Sequence, residues 1–251
     1  MLRLILLSVA LLIPSIGFSQ NTVSNSTLKT NSDSPFFSDV IVSGSLNYVS
    51  SATIQLAPYS ADLVERNSTL DISGGYGYSF SLRTKLFRND LFLGVTAEFI
   101  KIQDNDAVLT LEGDTSVARI KLTESITAYP VEFTAYFNVP SFQENLNIYL
   151  GGGIGLYSGD RKRKFLNYES ETISKSFGLS LVVLSGIEYY FEKNFMSFME
   201  LRFRDGEYDV KSKFPLDFVN INGVSYPLGK EINSKIFLDG LKVSFGLGYR
   251  F

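Results

Sequence analysis

Bulky apolar residues alternate with small or polar residues through most of the chain after about residue 37. In LFLGVTAEFIK (91–101) one face takes the bulky residues, which are Leu91, Leu93, Val95, Ala97 and Phe99. The segment ITAYPVEFTAYF (126–137) repeats the pattern. A period of two residues is the spacing of a β-strand, because successive side chains point to opposite faces. No helical period competes with it, so the alternation predicts strands.

Eight segments show this alternation, and the connections between them are by turns long and short. The predicted strands are 38–50, 69–87, 91–103, 125–138, 146–157, 176–191, 195–208 and 236–251. The short connections RND (88–90) and EKN (192–194) suit tight hairpin turns. We therefore predict an all-β fold, an eight-stranded antiparallel up-and-down transmembrane β-barrel over residues 38–251, with the long loops at one end.

Two of the long connections contain strand signals of their own. Residues 105–125 alternate around Gly113, which predicts that the third and fourth strands continue as a hairpin. Residues 209–235 contain Asn222 and Gly223, a pair that predicts a type I′ turn between two short strands. If this second hairpin entered the membrane, the barrel would have ten strands. Either hairpin could offer a strand edge to a partner.

The two faces of the predicted strands differ in chemistry. One face is apolar, Leu70 and Ile72 included, and stays free of charge for about ten residues per strand, which is what a tilted strand needs to cross a bilayer. Aromatic residues mark both ends of this face, with Tyr48, Phe99 and Tyr129 toward the loops. A membrane barrel turns such a face to lipid, whereas a soluble sandwich or lipocalin-like barrel buries it. The aromatic belts favour the membrane barrel.

The opposite face combines small residues with both signs of charge, which suits a narrow lumen where opposite charges pair. We predict a lumenal charge network made of Arg83, Glu98, Glu132, Glu188, Glu200, Arg202, Arg204 and Lys242. Glu98, Glu132 or Glu200 would pair with a lumenal cation. Such a network would fill the lumen instead of leaving a pore.

The N-terminal segment MLRLILLSVALLIPSIGFSQ has the pattern of a secretory signal peptide, which we place at residues 1–19. Its apolar run, Leu4 to Ile13, is shorter than the ~20 residues of a spanning helix, although a short N-terminal anchor is the alternative. Residues 20–37 are mainly polar and without periodicity, which predicts a flexible periplasmic tail.

The composition argues against most chemistry. The chain has no histidine and no cysteine, so the commonest general base, thiolate metal sites and disulfides are all absent. We predict no catalytic residues, no metal site, no cofactor and no enzymatic activity; a carboxylate site at Glu132 and Glu200 is the alternative to ion pairing. A net charge of -3 gives no electrostatic case for nucleic acid.

One loop carries four consecutive cations, Arg161, Lys162, Arg163 and Lys164. They are predicted to contact anions such as the phosphate groups of lipopolysaccharide, because ammonium and guanidinium groups bind phosphate oxygens. The alternative is a solvated charge run balanced by nearby glutamates.

The signal peptide, the alternating strands and the segments YPVEFTAYF (129–137), IYLGGGIGLY (148–157) and GLGYRF (246–251) together resemble the small outer-membrane β-barrel proteins of the OmpA/OmpX-like superfamily of Gram-negative bacteria. The resemblance implies an integral outer-membrane location with extracellular loops and periplasmic termini. It also implies that Tyr249 and Phe251 belong to the signal that the outer-membrane assembly machinery recognises.

These observations predict a non-enzymatic barrel that serves as a scaffold, with long extracellular loops for surface interaction or envelope integrity. The expected partners are outer-membrane lipid and lipopolysaccharide, the assembly machinery, and an extracellular protein or ligand bound through the loops. The alternatives are a small pore or channel and an accessory barrel for secretion or assembly.

Overall fold

A computed structural model describes residues 37–86, 91–113, 116–228 and 231–251. The predicted signal peptide and nearly all of the predicted tail lie outside the described residues. The strands are β1 (Phe37–Gln55), β2 (Thr69–Leu86), β3 (Leu91–Glu112), β4 (Val117–Ala128), β5 (Val131–Gln143), β6 (Leu146–Tyr157), β7 (Gly159–Phe165), β8 (Tyr168–Glu169), β9 (Glu171–Lys175), β10 (Gly178–Tyr190), β11 (Phe195–Lys213), β12 (Phe218–Ile221), β13 (Val224–Pro227), β14 (Ile232–Leu238) and β15 (Leu241–Arg250).

A short helix, α1 (Leu63–Arg66), lies in the connection between β1 and β2. Asp62 caps it by accepting a hydrogen bond from the backbone N–H of Val64. Within the described residues, no helix has the length and apolar character that would let it span a membrane.

Eight strands close into a ring in the order β1, β2, β3, β5, β6, β10, β11 and β15, and every pairing is antiparallel. Val42 of β1 lies opposite Leu82 of β2 on one side and Tyr249 of β15 on the other. The first and last strands therefore form the seam that leaves no open edge in this part of the sheet. The predicted eight-stranded meander is confirmed.

The strands continue beyond the ring into a second tier at the end with the long connections. Here β3 changes partner, because it pairs with β5 up to Ala97 and with β4 from Ile100 onward. In the same way β11 pairs first with β15 and then with β14. We call this tier the extension; it comprises the described residues of 50–75, 100–128, 158–177 and 205–240. The hairpin predicted within 105–125 is confirmed as the far ends of β3 and β4.

The outer surface of the ring is an apolar belt. On β3, Leu93 and Val95 point outward, while Lys101 is the exposed residue two positions beyond Phe99. Aromatic contacts mark the edge of the belt next to the extension, between Tyr48 and Tyr76, Tyr78 and Phe99, and Phe99 and Tyr129. The exposed side chains of the belt include Leu46, Tyr78, Phe80, Phe133, Ile154, Leu181, Val183, Phe203, Phe245 and Leu247.

The interior of the extension is mainly apolar, in contrast to the lumen of the ring. Its largest cluster contains Ile54, Ile72, Ile100, Ile102, Ile126, Tyr208, Val210, Ile236 and Leu238, together with Val49 and Tyr157 from the adjoining ends of the ring strands. The placement of Leu70 and Ile72 on the lipid side is therefore wrong, because Ile72 is only 1% exposed and packs in this cluster, and Leu70 packs against it. Asp71, between them, is exposed on the outer surface instead.

The hairpin of β12 and β13 covers the far end of the extension. Asn222 and Gly223 have φ angles of 52° and 83°, the left-handed conformation that a type I′ turn requires at both positions. Tyr226 is buried against Leu111 and Leu122, and its hydroxyl lies 2.9 Å from the Ser116 hydroxyl. The hairpin forms a separate two-stranded sheet, so the ten-stranded alternative is wrong.

Candidate functional site

The lumen of the ring is built around Glu132 on β5. Its carboxylate accepts hydrogen bonds from the Arg202 guanidinium and from the Tyr157 hydroxyl. Arg202 extends the cluster, because its Nη2 lies 2.7 Å from Glu200 Oε1. Glycines on β6 make room here, since a Cβ at Gly155 would lie 2.5 Å from the Tyr157 ring and 3.1 Å from Glu132 Cγ.

A second cluster surrounds Glu98 on β3. Arg204 Nη1 and Lys242 Nζ lie 2.9 Å and 3.2 Å from Glu98 Oε2, and Asn47 Nδ2 donates to Glu98 Oε1 at 2.8 Å. These side chains come from four different strands, β3, β11, β15 and β1, so the cluster crosses the whole lumen.

A third pair, Arg83 and Glu188, lies toward the short turns. The Arg83 guanidinium is 5.2 Å and 5.4 Å from the ring centroids of Tyr136 and Tyr149, which is the distance of a cation–π contact. The Tyr149 hydroxyl donates to Glu200 Oε2 at 3.1 Å, which links this pair to the Glu132 cluster.

All eight predicted lumenal residues are thus buried together, in three linked ion-pair groups. The four acids are Glu98, Glu132, Glu188 and Glu200, and the four bases are Arg83, Arg202, Arg204 and Lys242. Equal numbers of opposite charges suit a low-dielectric interior, where an unpaired charge is costly. The network lies between two apolar clusters. One, toward the short turns, includes Phe92 and Met196, and the other is the cluster inside the extension.

The geometry favours ion pairing over a carboxylate catalytic site at Glu132 and Glu200. Both carboxylates contact Arg202, and Glu132 is 1% exposed. A catalytic carboxylate must reach its substrate within hydrogen-bond distance. Among the described residues, no group of three or more His, Cys, Asp or Glu side chains is arranged to hold a metal ion.

The predicted patch of four cations is corrected by the structure. Residues 159–165 form strand β7, so alternate side chains point inward: Arg161 is fully buried and Arg163 is 8% exposed. Both contact Glu124, with Arg161 Nε 2.6 Å from Oε1 and Arg163 Nε 3.1 Å from Oε2. Burial and the adjacent Arg161 lower the pKa of Arg163. Neither arginine is available to an anion outside the barrel.

Glu124 is the residue that sequence analysis missed. It lies in TESITA with the same parity as the apolar residues Leu122 and Ile126, which are both buried. That parity indicates that Glu124 points into the core and therefore needs a buried cation. The Ser234 hydroxyl on β14 accepts a further hydrogen bond from Arg161.

The outward side chains of β3, β4 and β7 line an open cavity with a volume of about 610 Å³. This surface carries Lys101, Lys121, Lys162 and Lys164, and we call it the basic face. Lys162 Nζ lies 2.8 Å from Glu169 Oε1, and Lys121 Nζ lies 3.2 Å from Asp106 Oδ1. In the described part of the chain, no carboxylate oxygen lies within 4.0 Å of Lys101 or Lys164.

At the other end of the ring, Tyr249 and Phe251 lie in an aromatic group. The Tyr249 ring is 4.7 Å from that of Phe251 and 4.8 Å from that of Phe195. Phe251 is 71% exposed, and its backbone N–H donates to Val40 O at 2.8 Å across the seam. The group forms the aromatic edge of the belt next to the short turns.

No protein-family model matches the sequence, and no curated protein matches it. Among solved structures, the outer membrane protein OprG from Pseudomonas aeruginosa matches 85% of this chain and 95% of its own, with a TM-score of 0.55 and 13% identity. Neisserial surface protein A matches 84% of this chain and 97% of its own, with a TM-score of 0.44 and 15% identity. The outer membrane protease OmpT from Escherichia coli matches 86% and 98%, with a TM-score of 0.44 and 9% identity.

The likeness to OprG, the closed ring of eight strands and the belt with two aromatic edges define the class of fold. This chain has the fold of the outer-membrane β-barrel proteins of Gram-negative bacteria.

Proposed function

We propose that the protein is a non-enzymatic integral outer-membrane barrel that acts as a scaffold and holds a folded extension outside the cell for surface interaction or envelope integrity. The observation that carries the proposal is that the outward side chains of one strand change from apolar in the ring to charged in the extension. On β11, Phe203 belongs to the apolar belt, while Asp205 and Glu207, the next outward residues, are charged and exposed. Such a surface suits hydrocarbon below this level and water above it.

The proposed orientation places the extension outside the cell and the short turns in the periplasm, as in barrels of this class. The chain has no cysteine, so single introduced cysteines can test it without a background. Lys213→Cys, on the extension, should react with a membrane-impermeant maleimide on intact cells. Lys193→Cys, in the short turn between β10 and β11, should react only after the outer membrane is permeabilised. The reverse pattern would overturn the orientation.

The filled lumen supports a scaffold over a pore. The balanced charge network occupies the lumen, and apolar side chains lie on both sides of it. We expect no steady conductance from the wild-type protein in planar bilayers. The double variant with Arg83→Ala and Glu188→Ala removes one buried ion pair. It is the positive control, because its conductance shows the signal that an opened lumen gives in the same assay. Steady channels in the wild type would contradict the scaffold proposal.

We also propose that Tyr249 and Phe251 contribute to recognition by the outer-membrane assembly machinery. The exposed Phe251 ring at the periplasmic edge of the belt supports this role. Deleting Phe251 should lower the amount of heat-modifiable barrel in outer-membrane fractions, while secretion across the inner membrane continues. Phe251→Tyr, which keeps the ring, is the matched control. Equal assembly of the deletion variant would overturn the proposal.

A further inference from the structure

The outer surface of the extension is divided by charge. Lysines dominate the basic face on β3, β4 and β7. On β11, the outward residues at the start of the extension are acidic instead: Asp205, Glu207 and Asp209. Of these three, Lys235 of β14 forms an ion pair with Glu207, with its Nζ 3.3 Å from Glu207 Oε1. An anionic ligand would therefore meet attraction on one wall of the extension and repulsion on another.

Polar uncharged groups fill the space between the lysines in a regular register. Gln103 on β3 lies opposite Ser125 on β4, and Ser125 lies opposite Lys162 on β7. In the next row, Thr123 lies opposite Lys164. The basic face thus combines ammonium groups with hydroxyl and amide groups, which can exchange hydrogen bonds with the hydroxyls of a sugar.

The height of the basic face relative to the belt indicates what it can contact. Lys101 lies two residues beyond Phe99, which is ~7 Å along the strand, and Phe99 contacts Tyr129 in the aromatic edge. The polar layer of a bilayer extends roughly 5–7 Å beyond its hydrocarbon core. Lys101 is therefore level with lipid head groups, and Lys164 lies farther out. Directly below, Phe133 and Leu156 are exposed on the belt, where acyl chains would lie.

The cations of the basic face are only partly neutralised by nearby carboxylates. Glu169 accepts a hydrogen bond from Lys162 and raises the pKa of that lysine, so its ammonium group persists at neutral pH. Lys121 and Lys162 are paired with Asp106 and Glu169, and Asp160 and Glu171 add negative charge near Lys162. Among the described residues, no carboxylate oxygen lies within 4.0 Å of Lys101 or Lys164, so these two lysines are the cations most open to an anionic ligand.

We propose that the basic face binds the phosphorylated sugar head groups of glycolipid in the outer leaflet. Lys101 and Lys164 contact phosphate, and Gln103, Thr123 and Ser125 contact sugar hydroxyls. This inference rests on the proposed function, because it requires the extension to lie outside the membrane. The proposed anion-binding surface is therefore not the four consecutive cations of the sequence but a set of lysines that β3, β4 and β7 bring together.

Binding of fluorescent lipopolysaccharide to the full-length protein in nanodiscs tests the inference. The variant with Lys101→Gln and Lys164→Gln should lose about tenfold in affinity, because two charge-assisted contacts are removed. Lys101→Arg with Lys164→Arg should retain binding. The matched control, Lys213→Gln with Lys235→Gln, removes two lysines from β11 and β14 and should bind like the wild type. Equal affinity of the Lys101 and Lys164 glutamine variant would overturn the inference.

Two further probes identify the source of the anion. Lipopolysaccharide whose lipid phosphates have been removed should bind about tenfold more weakly to the wild type and equally to the glutamine variant. Inorganic phosphate and a soluble acidic polysaccharide should compete poorly; competition at equal phosphate or carboxylate concentration would overturn the assignment to lipid. Cysteine labelling on intact cells separates failure of this inference from failure of the proposed function. Correct labelling of Lys213→Cys and Lys193→Cys without lipopolysaccharide binding would overturn this inference alone.

Discussion

The ring and the extension are built from the same continuous strands, yet their two faces are exchanged. In the ring, β11 points Met199 and Phe203 outward and Arg202 inward. In the extension, the same strand points Glu207 outward and buries Tyr208. On β11 the alternation is unbroken across the change, because a strand places successive side chains on opposite sides in any solvent. The medium outside, hydrocarbon or water, decides which side is apolar.

Both regions also bury ion clusters, and the two clusters differ in their charge balance. The lumen of the ring holds four acids and four bases. The cluster of the extension holds Arg161 and Arg163 against a single carboxylate, Glu124, with the Ser234 hydroxyl as an additional acceptor. Loss of a carboxylate from either cluster removes a partner from a buried guanidinium, and in the ring the surrounding lipid adds to the cost because it keeps water away from the unpaired charge.

The largest effect is expected from Glu132→Leu in the lumen. It leaves Arg202 with one carboxylate partner and Tyr157 with none, and breaking a buried pair costs about 3–5 kcal/mol. Urea unfolding in lipid vesicles, followed by heat-modifiable migration, measures the loss. Glu207→Leu, at an exposed pair on the extension, should cost less than about 1 kcal/mol. Similar losses in the two variants would remove the distinction between the regions.

The exchange of faces is tested by placing lysine at two outward positions of β2. Phe80 lies in the middle of the belt, opposite Gly44 and Ala97, and Phe80→Lys should cost about 2–4 kcal/mol because the ammonium group enters hydrocarbon. Ser73→Lys, on the exposed surface of the extension, should stay within about 0.5 kcal/mol of the wild type. The same vesicle unfolding assay compares them. A tolerated lysine at position 80 would place the belt outside the membrane.

The two-residue alternation of the sequence is enough to predict the eight strands and the seam between β1 and β15. It also predicts that the acids and bases of the ring point into the lumen. The exchange of faces does not follow from it, because alternation is symmetric and gives no sign of which side is inside. Ile72 is misplaced for a different reason, because the alternation on β1 and β2 shifts by one residue near Ser50 and Ser73, which turns Ile72 inward.

The second ion cluster could not be predicted for a different reason. Arg161 and Glu124 are 37 residues apart, and their contact depends on the register of β4 with β7. The sequence alone predicts a loop over the charged segment 159–165, because four consecutive cations are typical of solvated surface. Only its alternation with Gly159 and Phe165, both buried, indicates a strand.

A smaller and local effect is expected at the hairpin that covers the extension. Tyr226→Phe removes the hydrogen bond to Ser116 while keeping the buried ring, which should cost about 1 kcal/mol. Limited proteolysis should cleave the β12–β13 hairpin faster, and the urea midpoint of the ring should not change. Val224→Ala, at an exposed position of the same hairpin, is the control. A shift in the ring midpoint would show that the two regions unfold as one unit.

The smallest effect is a pH dependence confined to the tip of β7 and β8. The hydrogen bond and charge of Lys162 hold the pKa of Glu169 below its usual value. The pair therefore contributes above the ordinary glutamate pKa of about 4.3, and its contribution is lost as pH falls through the lower folded value. Both side chains are largely exposed, so the gain in stability is small and local. NMR titration of Glu169 should show the depressed pKa in the wild type and a return toward the ordinary value in Lys162→Gln. An unchanged Glu169 pKa in that variant would mean that another cation of the basic face, such as Lys164, determines it.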